Sequence, residues 1–391
     1  MSIDFQSVFN QIRALGLQAP AQKQIHEQRL EKARRLLAEY ANELQSLREK
    51  VERVVHSQDA SLRCAVPVEQ ALNSHLRAPD LSDQVTLLAA DGSQIYPDRH
   101  ALLEYYLINI GIIQSATGTI EAPQPRIKTE LIYNDLTGEM QGFFNEDRVS
   151  LHRDLLERKL LAEEAAQLSG PVIALTDGPL ELWGASKIEQ SDPTGNEKGL
   201  SEYLQSLLNL QHMGIVAAGY VDKPREDYLV RLLEIASQPV EQSKTRLLHG
   251  VRDTRLLRDF LAPGERSAVF EMQSRSASLY RQHDPALTMH FFYLNVGRPN
   301  KPWFARVDIL GGTAKDENKV DTLHSILLEQ CAILGSQPYP YMLHRAHETA
   351  VVSFDERNQV EILISNELRR HGLIDEESHK QSAKNQSRRG R

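Results

Sequence analysis

Residues 85–92 read VTLLAADG, and residues 171–178 read PVIALTDG. Each is a short apolar run that stops at Asp-Gly. Runs of this length bounded by turn residues suit buried strands, and Asp-Gly is turn chemistry. Working outward, 105–113 and 130–133 read as further strands. Asn134, Asp135 and Gly138 supply turn residues, and 141–144 reads as a hairpin return. The stretch 147–167 predicts an amphipathic helix with Leu151, Leu155, Leu156 and Leu160 on its apolar side. After the second run come a helix over 200–212 and a third buried strand at 215–221. Helices follow over 225–236 and 244–260, then strands at 288–295 and 304–310. The last part is helical: 320–335 closes on Gly335, Pro340 opens the next helix, and 355–371 follows. The predicted class is α/β, a mixed β-sheet flanked by helices.

The N-terminal region has a different texture. Leu30, Ala33, Leu37, Tyr40, Leu44, Leu47, Val51 and Val54 alternate steps of three and four, a heptad seam. It predicts a long helix that packs on another helix, in the same chain or in a second copy, with Pro20 as the break before it. The expected organisation is a coiled-coil-like helical arm over 1–75, a main domain over 80–370 and a basic, disordered tail over 371–391. That tail holds Lys380, Lys384, Arg388, Arg389 and Arg391.

Composition excludes several classes. The 391 residues hold 45 Lys and Arg against 53 Asp and Glu, a net charge of −8. That rules out a polybasic, histone-like binder but leaves room for a local basic groove. No apolar run reaches the roughly 18 residues of a membrane helix. The first residues lack a signal-peptide layout, so a cytoplasmic protein is expected. Cys64 and Cys331 are too few for a disulfide framework or a thiolate zinc site. There is no Walker A lysine motif, no dinucleotide fingerprint, no HExxH and no G-x-S-x-G elbow. ATP hydrolysis is therefore not expected of this chain.

Carboxylates at the carboxyl ends of neighbouring strands point into the crevice where α/β proteins bind ligands. Asp91 and Asp177, placed so, can share hard divalent cations, for which oxygen donors suit Mg²⁺ or Mn²⁺. With a third carboxylate they would form a metal-assisted phosphodiester hydrolase site. The same two dipeptides also read as ordinary turns. The order strand–Asp91, antiparallel strands, helix, strand–Asp177, helix, strand is similar to the RNase H-like layout, in which acids from the first and fourth strands meet.

Six segments carry a more specific likeness. They are LLAADGSQIYPDRH from Leu87, IALTDGPLELWG from Ile173, VAAGYVDKPR from Val216, LAPGERSAVF from Leu261, FARVDIL from Phe304 and YPYMLHRAH from Tyr339. In this order they resemble the successive motifs of the NurA nuclease family. The resemblance implies an RNase H-like core and a Mn²⁺-dependent nuclease, with Mg²⁺ as the alternative ion and two ions per site. It implies 5′ to 3′ degradation of DNA, in DNA end resection and repair. Its implied partners are single- and double-stranded DNA, a second copy in a homodimer, and a HerA-type hexameric translocase. By motif position, Asp91 and Asp177 match the family's metal-binding aspartates and Glu157 its helix-borne glutamate, with Glu163 and Glu164 as rivals. Tyr339 and His347 match its late tyrosine and histidine, with His344 as a rival for the latter. Lys223 matches its basic position. The implied metal set is Asp91, Glu157, Asp177 and His347, with Lys223 and Tyr339 on phosphate or water.

Without the family, Glu157 also reads as half of an i,i+4 surface pair with Arg153. Residues 244–281 hold eight Lys and Arg against four acids. Arg252, Arg255 and Arg258 recur every three residues near one helix face, and with Arg266 and Lys223 they are the candidate DNA-binding cations. Phe291, Phe292, Tyr293 and Trp303 read either as core or as stacking platforms for unpaired bases. Two other readings stand beside the nuclease. One is a non-catalytic scaffold of the same fold that clamps DNA or caps a motor. The other is a small-molecule phosphohydrolase with Asp91 as nucleophile.

Overall fold

The structure, a computed structural model, describes residues 3–80, 84–98, 103–119, 121–134, 146–182 and 196–372. The expected turn at Asp135 and Gly138, the return at 141–144 and the basic tail lie outside the described residues.

Helix α1 spans Phe5–Glu39 and passes straight through Pro20. A proline inside a helix deprives the carbonyl four residues earlier of its partner. Here that carbonyl belongs to Gly16, on an exposed stretch with nothing packed beside it, so water can satisfy it. The expected break at Pro20 is thus displaced to residues 40–43, after which helix α2 (Leu44–Ser57) begins. The seam itself is used as read: Leu30, Ala33, Leu37, Leu47, Val51 and Val54 are buried in the main core. Their partner is in the same chain. Arg29 donates to the His249 carbonyl at 2.7 Å, and Arg34 Nε donates to Asp259 at 2.8 Å.

Two short strands follow, β1 (Cys64–Pro67) and β2 (His75–Arg77). The centre of the fold is β3 (Thr86–Ile95), β4 (Tyr105–Ala116), β5 (Gln124–Tyr133), helix α3 (Glu146–Ala165), β6 (Val172–Asp177), helix α4 (Asn196–His212) and β7 (Val216–Asp222). β3, β4 and β5 pair antiparallel, whereas β6 runs parallel to β3, and β7 parallel to β6. The resulting order β5-β4-β3-β6-β7 is the RNase H-like arrangement expected from the sequence.

Past β7 come helices α5 (Tyr228–Ala236) and α6 (Asp253–Leu257), strands β8 (Glu265–Ser267) and β9 (Phe270–Gln273), and helix α7 (Arg275–His283). β10 (Met289–Asn295) and β11 (Phe304–Leu310) then join β7, with β11 antiparallel to it. The chain continues through α8 (Gly311–Ala314), α9 (Glu317–Ile333), α10 (Tyr341–Ala350) and α11 (Phe354–Arg370). The sheet of the described residues has 11 strands.

The long helix expected over 244–260 is not formed. Gly250 takes a left-handed φ of 87°, which ends any helical run there, and only Asp253–Leu257 is α-helical. Asp253 is instead drawn to the start of α5, where its oxygens accept from the amides of Leu229 (2.9 Å) and Val230 (2.8 Å). Those amides are among the orphan donors of a helix N-terminus, and a buried carboxylate satisfies two of them.

β3 also departs from expectation. It does not turn at Asp91-Gly92-Ser93 but continues to Ile95, because β4 runs beside it throughout, pairing Asp91 with Gly111 and Ile95 with Leu107. Gly92 serves packing: a Cβ there would lie 2.7 Å from Arg153 Cγ on α3.

The sheet separates two cores. Leu88, Ala90, Ala174 and Ala217 pack with Val149, Leu161 and Ala165 of α3. Leu87, Ala89, Ile173, Leu175, Val216 and Ala218 pack with α9 and with Met342, Leu343 and Ala346 of α10. Side chains alternate across a strand. Asp91 and Asp177 therefore project on the α10 face, as does Asp222, two residues past Tyr220.

Candidate metal centre and its surroundings

Asp91 and Asp177 sit at the same level of the sheet. Ala90 pairs with Thr176 in the parallel β3–β6 ladder, so the next residue of each strand is the aspartate. Asp177 registers in turn with Tyr220 on β7. After Asp177 the chain turns sharply. Gly178 has a φ of 86°, and the turn folds so closely onto β7 that a Cβ at Gly219 would meet the Gly178 carbonyl at 2.6 Å. The second Asp-Gly is thus a true strand-ending turn, unlike the first.

His347 reaches this pair from α10. Its Nδ1 lies 2.7 Å from Asp91 Oδ2, and its side chain is 64% exposed against 17% for Asp91. The approach depends on a glycine opposite Asp91: a Cβ at Gly111 would sit 2.7 Å from Ala350 N and 2.8 Å from Ala346 O. The last carbonyl of α10 is then fastened to the sheet. Ala350 O accepts from Ser93 Oγ at 2.5 Å and from Asn109 Nδ2 at 2.9 Å. His344, the rival, pairs with Glu348 on its own helix at 3.4 Å.

Tyr339 stands just before α10, opened by Pro340 as its N-cap. Its hydroxyl interacts with Asp177, and its ring packs edge-on against Tyr220 with centroids 5.6 Å apart. Burial and the adjacent Asp177 push the phenol well above its ordinary range, so it stays a donor. The Asp177 carboxyl is raised, by desolvation first and then by the charges of Asp91 and Asp222, while Tyr339 and His347 pull it back. One edge of it remains open to water.

Glu157 comes from α3, on the other face of the sheet. It is 4% exposed, and burial pushes its carboxyl up to about 8, with Asp91 and Asp154 adding to the rise and Arg158 opposing it. The surface pair with Arg153 is not its environment: Arg153 holds Asp154 at 2.6 Å and donates to Gln94 at 2.9 Å. Of the rivals, Glu163 is exposed and Glu164 pairs with Arg126 of β5.

The donor set of three carboxylates and one imidazole suits a hard divalent cation such as Mn²⁺ or Mg²⁺. Asp177 and Glu157 each feel the negative charge of Asp91, which a cation would neutralise. Among the described residues no three His, Cys, Asp or Glu form a ready-made metal cage. Asp91 instead holds His347 and the Gly92 amide (2.8 Å from its Oδ1), with Tyr339 interacting with Asp177.

Lys223 follows β7 and is exposed; its ammonium stands 3.8 Å from the centre of the Trp303 ring. Asp222, inside the VAAGYVDKPR motif but given no role by the sequence reading, lies beside it. Its place two residues after Tyr220, in register with Asp177, becomes readable only through the β6–β7 pairing.

The basic stretch is mostly spent internally. Arg266 is 1% exposed and pairs with Asp321 at 2.9 Å, so it is a structural ion pair and not a surface contact for DNA. Arg255 pairs with Glu27 at 3.4 Å, Arg246 with Glu234 at 2.7 Å and Arg281 with Glu271 at 2.7 Å. Arg252 and Arg258 are exposed and cap α6 at its two ends, so only Arg255 lies within the helix itself. Phe291, Phe292 and Tyr293 are fully buried core, which removes them as base platforms. Asp308 is also fully buried and pairs with Arg306 at 2.8 Å, on the face away from Asp177.

Among solved structures the chain is similar to the NurA nuclease from Sulfolobus solfataricus, with 15% identity, a TM-score of 0.47, and 88% of this chain and 98% of that one covered. It is similar to a NurA structure with manganese, with 12% identity, a TM-score of 0.42, and 81% and 96% covered. It is also similar to the catalytic domain of human Endonuclease V, with 13% identity, a TM-score of 0.30, and 85% and 99% covered. No curated protein matches. The NurA domain model matches residues 85–352, well over half of the 391, and takes in Asp91, Glu157, Asp177, Lys223, Tyr339 and His347: the chain belongs to the NurA nuclease family.

Proposed function

We propose that this protein is a metal-dependent DNA nuclease whose metal centre is built on Asp91, Asp177, Glu157 and His347. The observation that carries the reading is the side-by-side placement of Asp91 and Asp177 on adjacent parallel strands, with His347 on an oxygen of Asp91. Two Mn²⁺ ions, or Mg²⁺ in their place, would supply an activated water and charge stabilisation for the departing oxygen. The chain's own residues have separable tasks. Asp91 and Asp177 present oxygens on one face. Glu157, held largely protonated by burial near neutral pH, would give up that proton to take part in holding a cation. His347 orients Asp91, and Tyr339 beside Asp177 favours its charged form. Lys223, Arg252 and Arg258 offer exposed positive charge to the phosphate backbone, which makes binding sensitive to salt.

The finer expectations carried by the family are part of this proposal: 5′ to 3′ polarity, a homodimer, a HerA-type translocase as partner and a role in end resection. The sequence has no Walker A motif, so directed movement along DNA would come from another protein. No helix of the described residues is long and apolar enough to cross a membrane. The test is degradation of single- and double-stranded DNA in Mn²⁺ by wild type and Asp91→Ala. Loss of cleavage in the variant supports the proposal. Equal rates reject it, and DNA binding without cleavage in any divalent ion would favour the clamping scaffold.

A further inference from the structure

Lys223 is the one non-glycine among the described residues with a positive φ, at 46°. Side chains with a Cβ avoid that region, and such residues persist where the surroundings over-determine them. The surroundings here are specific. The Lys223 amide donates to the Phe304 carbonyl at 3.1 Å, tying the end of β7 to the start of β11. That places Lys223 beside Trp303. Its ammonium lies 3.8 Å from the indole centroid, and the Lys301 ammonium lies 5.8 Å from the same centroid.

The indole is itself held. Trp303 Nε1 donates to Asp222 Oδ1 at 2.6 Å. The Trp303 carbonyl accepts from Val296 N at 2.9 Å. The chain passes so close to Gly297 that a Cβ there would meet Trp303 N at 2.3 Å. Asp222 carries this assembly toward the metal centre, since it lies two residues past Tyr220, the β7 residue in register with Asp177. One indole therefore gathers two ammonium groups through its ring while its N–H fixes an acid next to the site.

We infer that Trp303 is a positioning residue that holds Lys223 and Lys301 as a two-cation clamp for the phosphate backbone of a DNA strand entering the Asp91–Asp177 site. The inference rests on the nuclease reading above but concerns the binding step alone. Stacking by Trp303 on a base is disfavoured, because Lys223 covers a face of the ring. A cation over an aromatic face is attracted by the ring's quadrupole, so phenylalanine keeps part of the hold on Lys223 and leucine keeps none.

The test measures binding of a fluorescent single-stranded oligonucleotide in EDTA across a salt series, for wild type, Trp303→Leu, Trp303→Phe, Lys223→Gln, Lys301→Gln and the Trp303→Leu/Lys223→Gln double variant. The expected result is about tenfold weaker binding for Trp303→Leu. Its log–log salt slope should be shallower by about 0.7 for each phosphate no longer neutralised, as for single strands. Trp303→Phe should retain most of the affinity, and the double variant should bind no worse than Trp303→Leu. Wild-type affinity in Trp303→Leu, or Trp303→Phe as weak as Trp303→Leu, overturns the clamp, as does an additive double variant. Should Trp303→Leu not fold, Trp303→Phe and Lys301→Gln decide: unchanged binding in Lys301→Gln overturns it. Failure of the nuclease reading looks different, since wild type then leaves DNA uncut in Mn²⁺ whether or not it binds the oligonucleotide.

Discussion

His347 and Asp91 are 256 residues apart in sequence, and their side chains meet at 2.7 Å. The contact exists because α10 lies directly on β4 at Gly111, the residue paired with Asp91. The absence of a side chain, at one position of a strand otherwise rich in isoleucine, leucine and tyrosine, sets how near the histidine comes.

Gly111→Val should therefore act at a distance. Its Cβ would lie 2.7 Å from backbone, which cannot swing aside as a side-chain tip does. Overpacking of this kind costs about 1–3 kcal/mol. The expected outcome is a lower thermal midpoint together with at least tenfold slower DNA cleavage, read by thermal unfolding and a nuclease assay on one preparation.

His347→Ala separates stability from activity. The histidine is largely exposed and its pair with Asp91 contributes little to folding, about 0–1 kcal/mol. The thermal midpoint should stay within a few degrees. Metal affinity or cleavage should fall roughly 10–100-fold, the range for residues that ligate or orient a ligand. His344→Ala should leave cleavage near wild type, because His344 faces Glu348.

Lys223→Gly should trade binding for stability. Glycine takes a φ of 46° without strain, which relieves about 1 kcal/mol, partly offset by the greater freedom of glycine in the unfolded chain. Denaturant unfolding should show equal or higher stability, and oligonucleotide binding should be weaker. A clear loss of stability would contradict the strain argument.

His324 sets an acid limit. It is fully buried on α9, its Nε2 donates to the Gly264 carbonyl at 2.9 Å, and its Nδ1 has no partner. Burial lowers its pKa to about 4. The folded state keeps the ring neutral while the unfolded chain protonates near 6.5. The stabilisation is full above pH ~6.5 and is lost as pH falls from there toward 4, by up to about 3 kcal/mol. His324→Gln retains a donor for Gly264 and should flatten that limb in stability measured from about pH 7 to about pH 4.

Much of the fold is legible in the sequence, and the misses have physical causes. β11 has the limits read from its apolar pattern, and the Asp91 and Asp177 motifs lie on adjacent strands as the motif order implied. The identical Asp-Gly pairs mislead, because one ends a strand and the other runs on inside it. Only the partner strand decides which, and pairing is not local. The helix expected over 244–260 fails because Gly250 and the pull of Asp253 toward α5 override propensity. Arg266 reads as surface charge because its counter-ion, Asp321, is 55 residues away. The short strands β1, β2, β8 and β9 carry too few residues for a pattern to emerge.

If Asp91 and Asp177 share a divalent cation, neutralising either one must weaken that ion's binding. Calorimetric titration of Mn²⁺ into wild type, Asp91→Asn and Asp177→Asn reads this without reference to DNA. Saturable binding to wild type is expected, with at least tenfold weaker binding in each variant and all three proteins folded. Unchanged Mn²⁺ affinity in both variants would show that the two aspartates hold no common ion.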